Sequence, residues 1–314
     1  MKTDWTEMMK ENILQDILPK LNSHSTEWEN MEKRLHALET SKPTAVTITT
    51  PDCDWTCDVS QDHPAITKAL DTISCGLPLA LVGPTGSGKT YAAKRLGEIL
   101  KVKHYAVRQV NRQTGTHDIL GYMNAQGGYV KGVASDAIKE GGLLCIDEID
   151  NGNENILMCL KGFMSGHVFM PYGMQEIHKD FRLCATMNTW GQGATREYVG
   201  RCPLDAALLD EFVTMEWPYD ENFERKLCSN MDHAGFIEHF FTLRRRATSM
   251  KIKVIFSTRS LIQCLKLFKS TDWPITDILD RVIFRNLKQA EKDRLTLASD
   301  KPTFKANDEQ EPPF

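Results

Sequence analysis

The sequence contains no long hydrophobic run, and none of its windows approaches the roughly 18 apolar residues that a membrane-spanning helix needs. It also has no secretory signal, because its first residues lead into a charged segment without a continuous apolar stretch. These two absences predict a cytoplasmic protein without a membrane span.

An excess of one charge is missing too. The 314 residues include 38 Lys and Arg against 42 Asp and Glu, which gives a formal net charge of −4. This balance argues against a protein built mainly to coat nucleic acid, although local basic patches can still bind it. With 41% hydrophobic and 25% charged residues the chain can form a full core, and its length suggests roughly two domains.

A disulfide framework is not expected, because the nine cysteines are an odd number and several of them lie in apolar runs. Cys75, Cys145 and Cys184 are of this kind, and a thiol there packs as a small hydrophobe. We therefore expect a reducing compartment. Cys53 and Cys57 could suggest a metal knuckle, but no second Cys or His pair lies at zinc spacing, so zinc is not expected.

What the sequence does contain is a phosphate loop. Positions 83–90 read GPTGSGKT and fit the pattern G-x-x-x-x-G-K-[ST]. An apolar run at 79–82 has the length of a buried strand, and 91–100 has the periodicity of a helix, which is the context that the motif needs. Backbone N–H groups of the loop and the helix N-terminus would then face the phosphates. A glycine-rich turn that binds nothing is the alternative.

Two residues of this loop have specific predicted roles. Lys89 would reach the β- and γ-phosphates of ATP, and the Thr90 hydroxyl would ligate Mg²⁺. The predicted nucleotide-binding residues are Gly83, Pro84, Thr85, Gly86, Ser87, Gly88, Lys89, Thr90 and Tyr91.

Two carboxylates follow the next strong apolar run. Positions 143–146 are apolar and lead into Asp147 and Glu148. Open α/β sheets hold their ligands at the carboxyl ends of their strands, so both acids are expected at the site. Asp147 would hold Mg²⁺ directly or through water, and Glu148 would orient or deprotonate the attacking water. Taken alone the pair is a weak signal, because apolar strands that end in two acids are common. Its position behind a well-fitting phosphate loop makes it a strong one.

A third apolar run, at 181–187, ends at Asn188. If its strand neighbours the acid-ended one, Asn188 lies beside both carboxylates and can hydrogen-bond the attacking water or the γ-phosphate. A turn-forming asparagine is the alternative.

The chain divides into four predicted parts: an N-terminal helical segment at 1–42, an α/β core at 43–218, a small all-helical domain at 219–290 and a disordered tail at 291–314. Apolar residues at helical spacing predict two amphipathic helices in the first part, which either dock a partner or another copy, or pack on the core. Residues 111–142 are polar and glycine-rich, and they are predicted to be an insertion rather than part of the core. A short hairpin is predicted at 167–177, turning at positions 172–173.

The order of phosphate loop, acid-ended strand, Asn-ended strand and helical domain resembles that of AAA+ ATPases. Four stretches are similar to the MoxR-type branch of this family, namely 112–121, 185–189, 204–210 and 257–259. The nearest group is the CobS-like one, named after the ATPase subunit of cobaltochelatase. The resemblance covers roughly residues 60 to 290. It implies a three-layer P-loop NTPase core with a parallel sheet, followed by an all-helical lid.

The resemblance also implies roles for residues outside the loop. Asn188 matches the sensor-1 position, and Arg259 matches the sensor-2 arginine of the lid. An arginine near the γ-phosphate makes physical sense, because its planar charged fork neutralises charge that develops in phosphoryl transfer. A salt bridge on the lid surface is the alternative for Arg259.

One motif departs from the family pattern. The family usually shows Leu-Asp-Arg-Phe before the last strand, and that arginine reaches the ATP of the neighbouring subunit. Here positions 209–212 read LDEF, so Glu211 stands at the finger position. A carboxylate could not stabilise a transferring phosphate, so Arg201 is the favoured replacement and Arg196 is the other candidate. Without either, hydrolysis is expected to be slow or to need a partner's arginine.

Three hypotheses for function result. The resemblance implies an enzyme, a ring ATPase that couples Mg²⁺–ATP hydrolysis to remodelling or activation of a partner protein. Six subunits are the family expectation, and the partner is often a separate protein with a von Willebrand A-type domain. The second hypothesis is a nucleic-acid motor or loader, because three arginines at 244–246 are followed by Lys251 and Lys253; a solvated lid face also explains these charges. The third is an ATP-binding module with little hydrolysis, suggested by Glu211 and opposed by the intact Glu148.

Overall fold

The computed structural model describes residues 45–49, 54–195, 198–230 and 233–296. The predicted helices at 1–42, Arg196 and the end of the predicted tail from residue 297 lie outside the described residues. The chain divides into two compact units, residues 1–60 and 61–314. In the first unit, strands β1 (Ala45–Thr49) and β2 (Asp54–Asp58) form an antiparallel pair.

A five-stranded parallel sheet is the centre of the second unit. The strands of this unit, in chain order, are β3 (Leu79–Val82), β4 (Tyr105–Gln109), β5 (Tyr122–Met123), β6 (Tyr129–Val130), β7 (Gly142–Asp147), β8 (His167–Met170), β9 (Gly173–Glu176), β10 (Phe181–Met187) and β11 (Val213–Glu216). The central sheet has the order β11-β3-β10-β7-β4, and every neighbouring pair is parallel. The predicted parallel α/β core is therefore confirmed. Because β10 pairs with both β3 and β7, the three motif-bearing strands are adjacent.

Helices cover both faces of this sheet. The helices of this unit, in chain order, are α1 (Ile66–Ser74), α2 (Lys89–Ile99), α3 (Thr116–Leu120), α4 (Ser135–Glu140), α5 (Glu154–Met164), α6 (Ala206–Asp210), α7 (Glu221–Leu227), α8 (Ala234–Ser249), α9 (Thr258–Ser270), α10 (Ile275–Val282) and α11 (Gln289–Leu295). Successive strand residues point to opposite faces. Val82 and Ile146 pack with α3, α4 and α5 in one core. Leu143 lies on the other face against α2, where a Cβ added to Gly97 would be 3.5 Å from it. In the described part of the chain, no helix has both the length and the apolar character of a membrane span.

Residues 111–142 differ in part from the prediction. They do lie between β4 and β7, and they carry the two-stranded hairpin of β5 and β6. However, α4 belongs to the core, because Ala137 and Ile138 are buried in the same cluster as the sheet residues. The helix has only 6 residues, too few for a helical period to stand out among polar and glycine-rich neighbours.

The hairpin predicted at 167–177 is confirmed, but its turn lies one residue earlier than predicted. β8 and β9 pair with Met170 opposite Gly173, so Pro171 and Tyr172 form the loop. Gly173 has a φ of 127°, which glycine adopts at little cost, so it can take the first position of β9 instead of the turn.

Helices α7–α11 form the predicted helical lid. Its core is rich in phenylalanine, with Phe236, Phe240, Phe241, Phe256 and Phe284. Two lid helices begin with side-chain caps, since Asp220 accepts a hydrogen bond from Phe223 N at 2.6 Å and Ser257 accepts one from Ser260 N at 3.0 Å. Helix α11 extends into the tail that the sequence predicts to be disordered from residue 291, because Leu295 is fully buried in the lid core.

Candidate nucleotide-binding site

The loop between β3 and α2 carries the phosphate-binding motif. β3 ends at Val82, and α2 begins at Lys89 after Gly88, whose backbone is left-handed with a φ of 90°. Gly86 is left-handed too, and a Cβ added there would lie 2.8 Å from Ser257 Cβ, at the start of α9. Glycine therefore lets the loop pack against the lid more closely than a larger residue would.

Lys89 lies inside the loop. The residue is 7% exposed, and Nζ donates hydrogen bonds to the carbonyl oxygens of Gly83 and Pro84, each at 2.8 Å. Nζ also donates to Asn188 Oδ1 at 3.0 Å. These three bonds hold the ammonium group where the neighbouring strands β3 and β10 end.

Burial is the largest influence on the pKa of Lys89, and it lowers that pKa to about 8. The carboxylates of Asp147, Asp150 and Glu148 act in the opposite direction, and the guanidinium group of Arg201 adds to the lowering. An anion bound in the loop would favour the charged ammonium. A phosphate bound in the loop would therefore stabilise the charged form of Lys89, which burial disfavours.

Asp147 and Thr90 are in direct contact. Thr90 Oγ1 donates to Asp147 Oδ1 at 2.8 Å, and Thr186 Oγ1 donates to the same oxygen at 2.6 Å. Thr186 Oγ1 also accepts from the backbone N of Glu148 at 3.0 Å. Sequence reasoning missed Thr186. The available signal was its place two residues before Asn188 along a strand, where both side chains share a face.

A hydroxyl and a carboxylate this close together fit Mg²⁺, which prefers hard oxygen ligands and is usually held by one or two protein groups, water and substrate phosphates. Within the described ranges, no group of three or more His, Cys, Asp or Glu side chains could hold a metal ion. A donor set of one hydroxyl and one carboxylate suits a metal that is shared with a nucleotide. Thr90 and Asp147 are the residues that would hold it.

Ser87 Oγ is an unpaired polar atom in the loop. It is buried and has no hydrogen-bond partner among the residues that the structure describes. A buried hydroxyl without a partner is costly, so a ligand oxygen at this point would be stabilising. This observation fits a phosphate cradle better than a glycine-rich turn that binds nothing.

The loop opens into a cleft of about 910 Å³ between the core and the lid. Its size is typical of small-molecule sites. Outside the phosphate loop and the acids, its lining includes Tyr91, Gln109, Arg259, Gln263 and Lys266. Arg259 lies in the first turn of α9, and its backbone N donates to Gly86 O at 3.4 Å. The arginine predicted as sensor 2 therefore faces the cleft that contains the phosphate loop.

Glu148 has an uncommon backbone conformation. It is left-handed, with φ 60° and ψ 48°, which is unfavourable for any residue other than glycine. Its carboxylate accepts hydrogen bonds from Asn188 Nδ2 at 3.5 Å and from Arg201 Nη1 at 3.2 Å. Such conformations concentrate at functional sites, and Glu148 lines the cleft.

The predicted role of Arg201 is to reach the ATP of a neighbouring subunit, but here its side chain turns toward the acids of its own chain. Nη1 lies 3.2 Å from Glu148 Oε2 and 3.2 Å from Asp150 Oδ1, and the side chain is 13% exposed. The physical reason is that two carboxylates attract the guanidinium inward. Glu211 is exposed at the end of α6, and Arg196 lies outside the described residues.

Asp150 is a site residue that sequence reasoning missed. It is fully buried, and its Oδ2 accepts from Asn188 N at 3.1 Å, Thr189 N at 3.1 Å and Thr189 Oγ1 at 3.0 Å. Asp150 thereby ties the end of β10 to the turn after β7. Its signal in the sequence was a third acid shortly after Asp147 and Glu148.

Comparison with known proteins agrees with this geometry. Residues 78–212 match the family model described as AAA domain (dynein-related subfamily). The parallel sheet with its phosphate loop and the helical region that follows it are consistent with the AAA+ fold. The match spans the phosphate loop, the two acids at the end of β7, Asn188 and Arg201, whereas Arg259 lies beyond it.

The chain is also similar to two bacterial proteins that carry the description uncharacterized. It is 30% identical over 201 residues to YojN of Bacillus subtilis (strain 168), which covers 59% of this chain and 63% of YojN. It is 31% identical over 153 residues to a protein of Staphylococcus aureus (strain USA300), which covers 45% of this chain and 55% of that protein. The chain thus spans less than two thirds of the length of either relative.

Among solved structures, NtrX from Brucella abortus in complex with ATP aligns with a TM-score of 0.40 at 14% identity, covering 85% of this chain and 58% of that chain.

Proposed function

We propose that this protein binds Mg²⁺–ATP in the cleft between the core and the lid and hydrolyses it to ADP and phosphate. The observation that carries the proposal is the convergence of Lys89, Glu148 and Asn188 at the carboxyl ends of three adjacent strands. Open α/β sheets bind their ligands there. Phosphoryl transfer asks the protein for charge neutralisation and a positioned water, and these residue types can supply both.

The phosphate side of the reaction would use the loop. Lys89 would neutralise the β- and γ-phosphate oxygens, while the loop amides and the Ser87 hydroxyl bind them. Thr90 and Asp147 would hold Mg²⁺, which when bound neutralises phosphate charge.

The water side would use the ends of β7 and β10 and the lid. Glu148 would orient the attacking water and accept its proton, and Asn188, which already bonds Glu148, would fix the same water. Arg259 would add a positive charge near the γ-phosphate from the lid side of the cleft.

Phosphate release from ATP tests this proposal. Glu148→Gln is expected to bind ATP and to lose at least about 100-fold in turnover, because the base is gone while the phosphate contacts remain. Lys89→Ala is expected to lose binding as well. Glu98→Gln is the matched control, since Glu98 is half-exposed on α2 and pairs with Lys94. Turnover by Glu148→Gln at the rate of the unmodified protein contradicts the assignment.

We further propose that the ATPase is of the MoxR type and CobS-like, and that it works in the cytoplasm as a homo-oligomeric ring that remodels or activates a separate protein. The similarity at four separate motif stretches supports this, as does the packing of the lid against the phosphate loop. Closure of a lid on its nucleotide can turn phosphate chemistry into domain movement. Cysteines in the described ranges have free thiols, which suits a reducing compartment.

A pull-down with Glu148→Gln in the presence of ATP tests the finer proposal. This variant is expected to retain a partner that Lys89→Ala does not, and a captured protein with a von Willebrand A-type domain supports the MoxR assignment. Mass measurement with ATP is expected to give a closed ring of about six subunits. A monomer at all concentrations, with no ATP-dependent partner, contradicts it.

The nucleic-acid hypothesis loses its main support in the structure, because the three arginines of α8 are engaged within the lid. Arg244 pairs with Glu224, Arg245 pairs with Glu221, and Arg246 Nη1 donates to the backbone oxygen of Leu295. A phosphate backbone would have to displace these partners. ATP hydrolysis stimulated by DNA and suppressed by high salt would restore the hypothesis.

The hypothesis of a binding module with little hydrolysis rests on Glu211 alone. Tight ATP binding without phosphate release, in the presence of any captured partner, would favour it over the remodelling ATPase.

A further inference from the structure

Residues 198–201 carry two side chains that bind different parts of the site, and we call them the bridging segment. At its first position, the Tyr198 hydroxyl accepts a hydrogen bond from Thr85 N at 2.9 Å. On the other side of the same loop residue, Tyr219 OH donates to Thr85 O at 2.6 Å. Thr85 belongs to the phosphate loop and lines the cleft, so two tyrosines hold this part of the loop.

At its last position, Arg201, the bridging segment contacts Glu148, the proposed catalytic base. Arg201 Nη1 donates to both Glu148 Oε2 and Asp150 Oδ1. Asp150 is fully buried and is fixed by Asn188 and Thr189. A buried carboxylate with all these bonds is a rigid anchor for the guanidinium group, and the guanidinium group in turn fixes the Glu148 carboxylate.

The bridging segment is short, and four residues span at most about 14 Å even when fully extended. A shift of the phosphate loop at Thr85 that keeps the bond to Tyr198 would therefore move a residue only three positions from Arg201. The bridging segment thus connects the phosphate loop with Glu148, and this connection does not run through the central sheet.

We propose that Tyr198 and Arg201 are positioning residues that act within their own chain, Tyr198 on the phosphate loop and Arg201 on Glu148, and that the bridging segment sets both positions together. This inference rests on the proposed ATPase activity. It replaces the trans finger role that the sequence predicts for Arg201. Both residues act through another group, Thr85 or Glu148.

A mixture of two variants separates a cis role of Arg201 from a trans role. Arg201→Ala keeps Lys89, and Lys89→Ala keeps Arg201, so mixed oligomers regain complete sites only if Arg201 serves a neighbour's ATP. We expect the ATPase rate of the mixture to equal the average of the two variants measured alone. A rate well above that average overturns the cis role.

A double-mutant cycle measures the link between the two ends. Tyr198→Phe removes only the hydroxyl bound to Thr85, and Arg201→Lys keeps the charge but loses the planar fork. We expect each single change to lower kcat about tenfold with little change in the Kd for ATP. We expect the kcat of the double variant to be little lower than that of the more impaired single variant, because both changes break the same connection between Thr85 and Glu148.

Two further variants serve as comparisons. Tyr219→Phe also removes a bond to Thr85 but leaves the bridging segment intact, so it measures what the loss of one Thr85 bond costs in kcat without the loss of the Tyr198 contact. Tyr172→Phe makes the same chemical change on the exposed hairpin loop and is expected to leave kcat unchanged.

The outcomes distinguish this inference from the proposed function. If the unmodified protein does not hydrolyse ATP, both fail. If it does, and the effects of Tyr198→Phe and Arg201→Lys multiply, or Arg201→Lys raises kcat, only the positioning role is overturned. Loss of kcat that follows a matching loss of thermal stability in Tyr198→Phe also overturns it, because that pattern belongs to a structural role.

Discussion

Replacing Glu224 with Gln is expected to destabilise the lid far more than the same change at Glu221. Glu224 is fully buried, and its carboxylate accepts from Arg244 Nη1 at 2.6 Å and Nη2 at 2.8 Å. Thr258 Oγ1 donates to the same carboxylate. Arg244 is 12% exposed, so Glu224→Gln leaves a guanidinium charge in the lid without its counter-charge.

The magnitude follows from this burial. Removing one charge of a buried pair costs about 3–5 kcal/mol, because the other charge remains desolvated. The Gln oxygen can still accept one hydrogen bond, so we expect a loss near the lower limit, about 3 kcal/mol. Glu221 pairs with Arg245, whose side chain is 63% exposed, and screening by solvent makes the contribution of such an exposed pair to stability much smaller.

Urea unfolding of the unmodified protein, Glu224→Gln and Glu221→Gln measures the difference in the free energy of unfolding, provided that the slope of the transition stays constant. A variant with Glu224→Leu and Arg244→Met is expected to recover most of the loss, since replacing both partners by apolar groups leaves no unpaired charge. Equal losses for Glu224→Gln and Glu221→Gln, or a double variant as unstable as Glu224→Gln, would refute the reasoning.

Other changes test the site and the core. Gly86→Ala is expected to weaken ATP binding at least about tenfold in a fluorescent-nucleotide titration, because the new Cβ would meet Ser257 and the left-handed backbone would be strained; unchanged affinity would contradict this packing. Thr90→Val is expected to abolish the gain in nucleotide affinity that Mg²⁺ provides, since Asp147 would be left as the single protein ligand. Nucleotide titrations with and without Mg²⁺ measure this gain, and a gain as large as that of the unmodified protein would count against the assignment. Burial lowers the pKa of His63 below the ordinary histidine value of about 6.5, so the unfolded chain takes up this proton first, and the free energy of unfolding should fall as pH decreases through that value. His63→Gln should flatten that slope by up to about 1.4 kcal/mol per pH unit, and an unchanged slope would argue against this origin.

Features confined to one stretch of chain can be predicted from the sequence. The phosphate loop is such a feature, because residues 83–90 make their contacts through nearby backbone groups. The runs at 143–146 and 181–187 were recognisable because strands of a parallel sheet are buried on both faces and are therefore continuously apolar. The lid followed from helical periodicity for the same kind of local reason.

Features that depend on distant partners could not be predicted. The inward direction of Arg201 is set by Glu148 and Asp150, which are far away in sequence and meet it only after the chain has folded. Thr186 gains its role from the pairing of β10 with β7, and no local pattern specifies which strands pair. Helix α4 was missed because six residues hold less than two turns.

Tyr219 sits in the connection between the sheet and the lid, with its hydroxyl on Thr85 and the Arg244 guanidinium 4.6 Å from the centre of its ring. Tyr219 therefore contacts both the phosphate loop and the lid. An outward movement of the lid would displace Tyr219 and with it the phosphate loop at Thr85. Small displacements near the phosphates would be amplified into rotation of the lid.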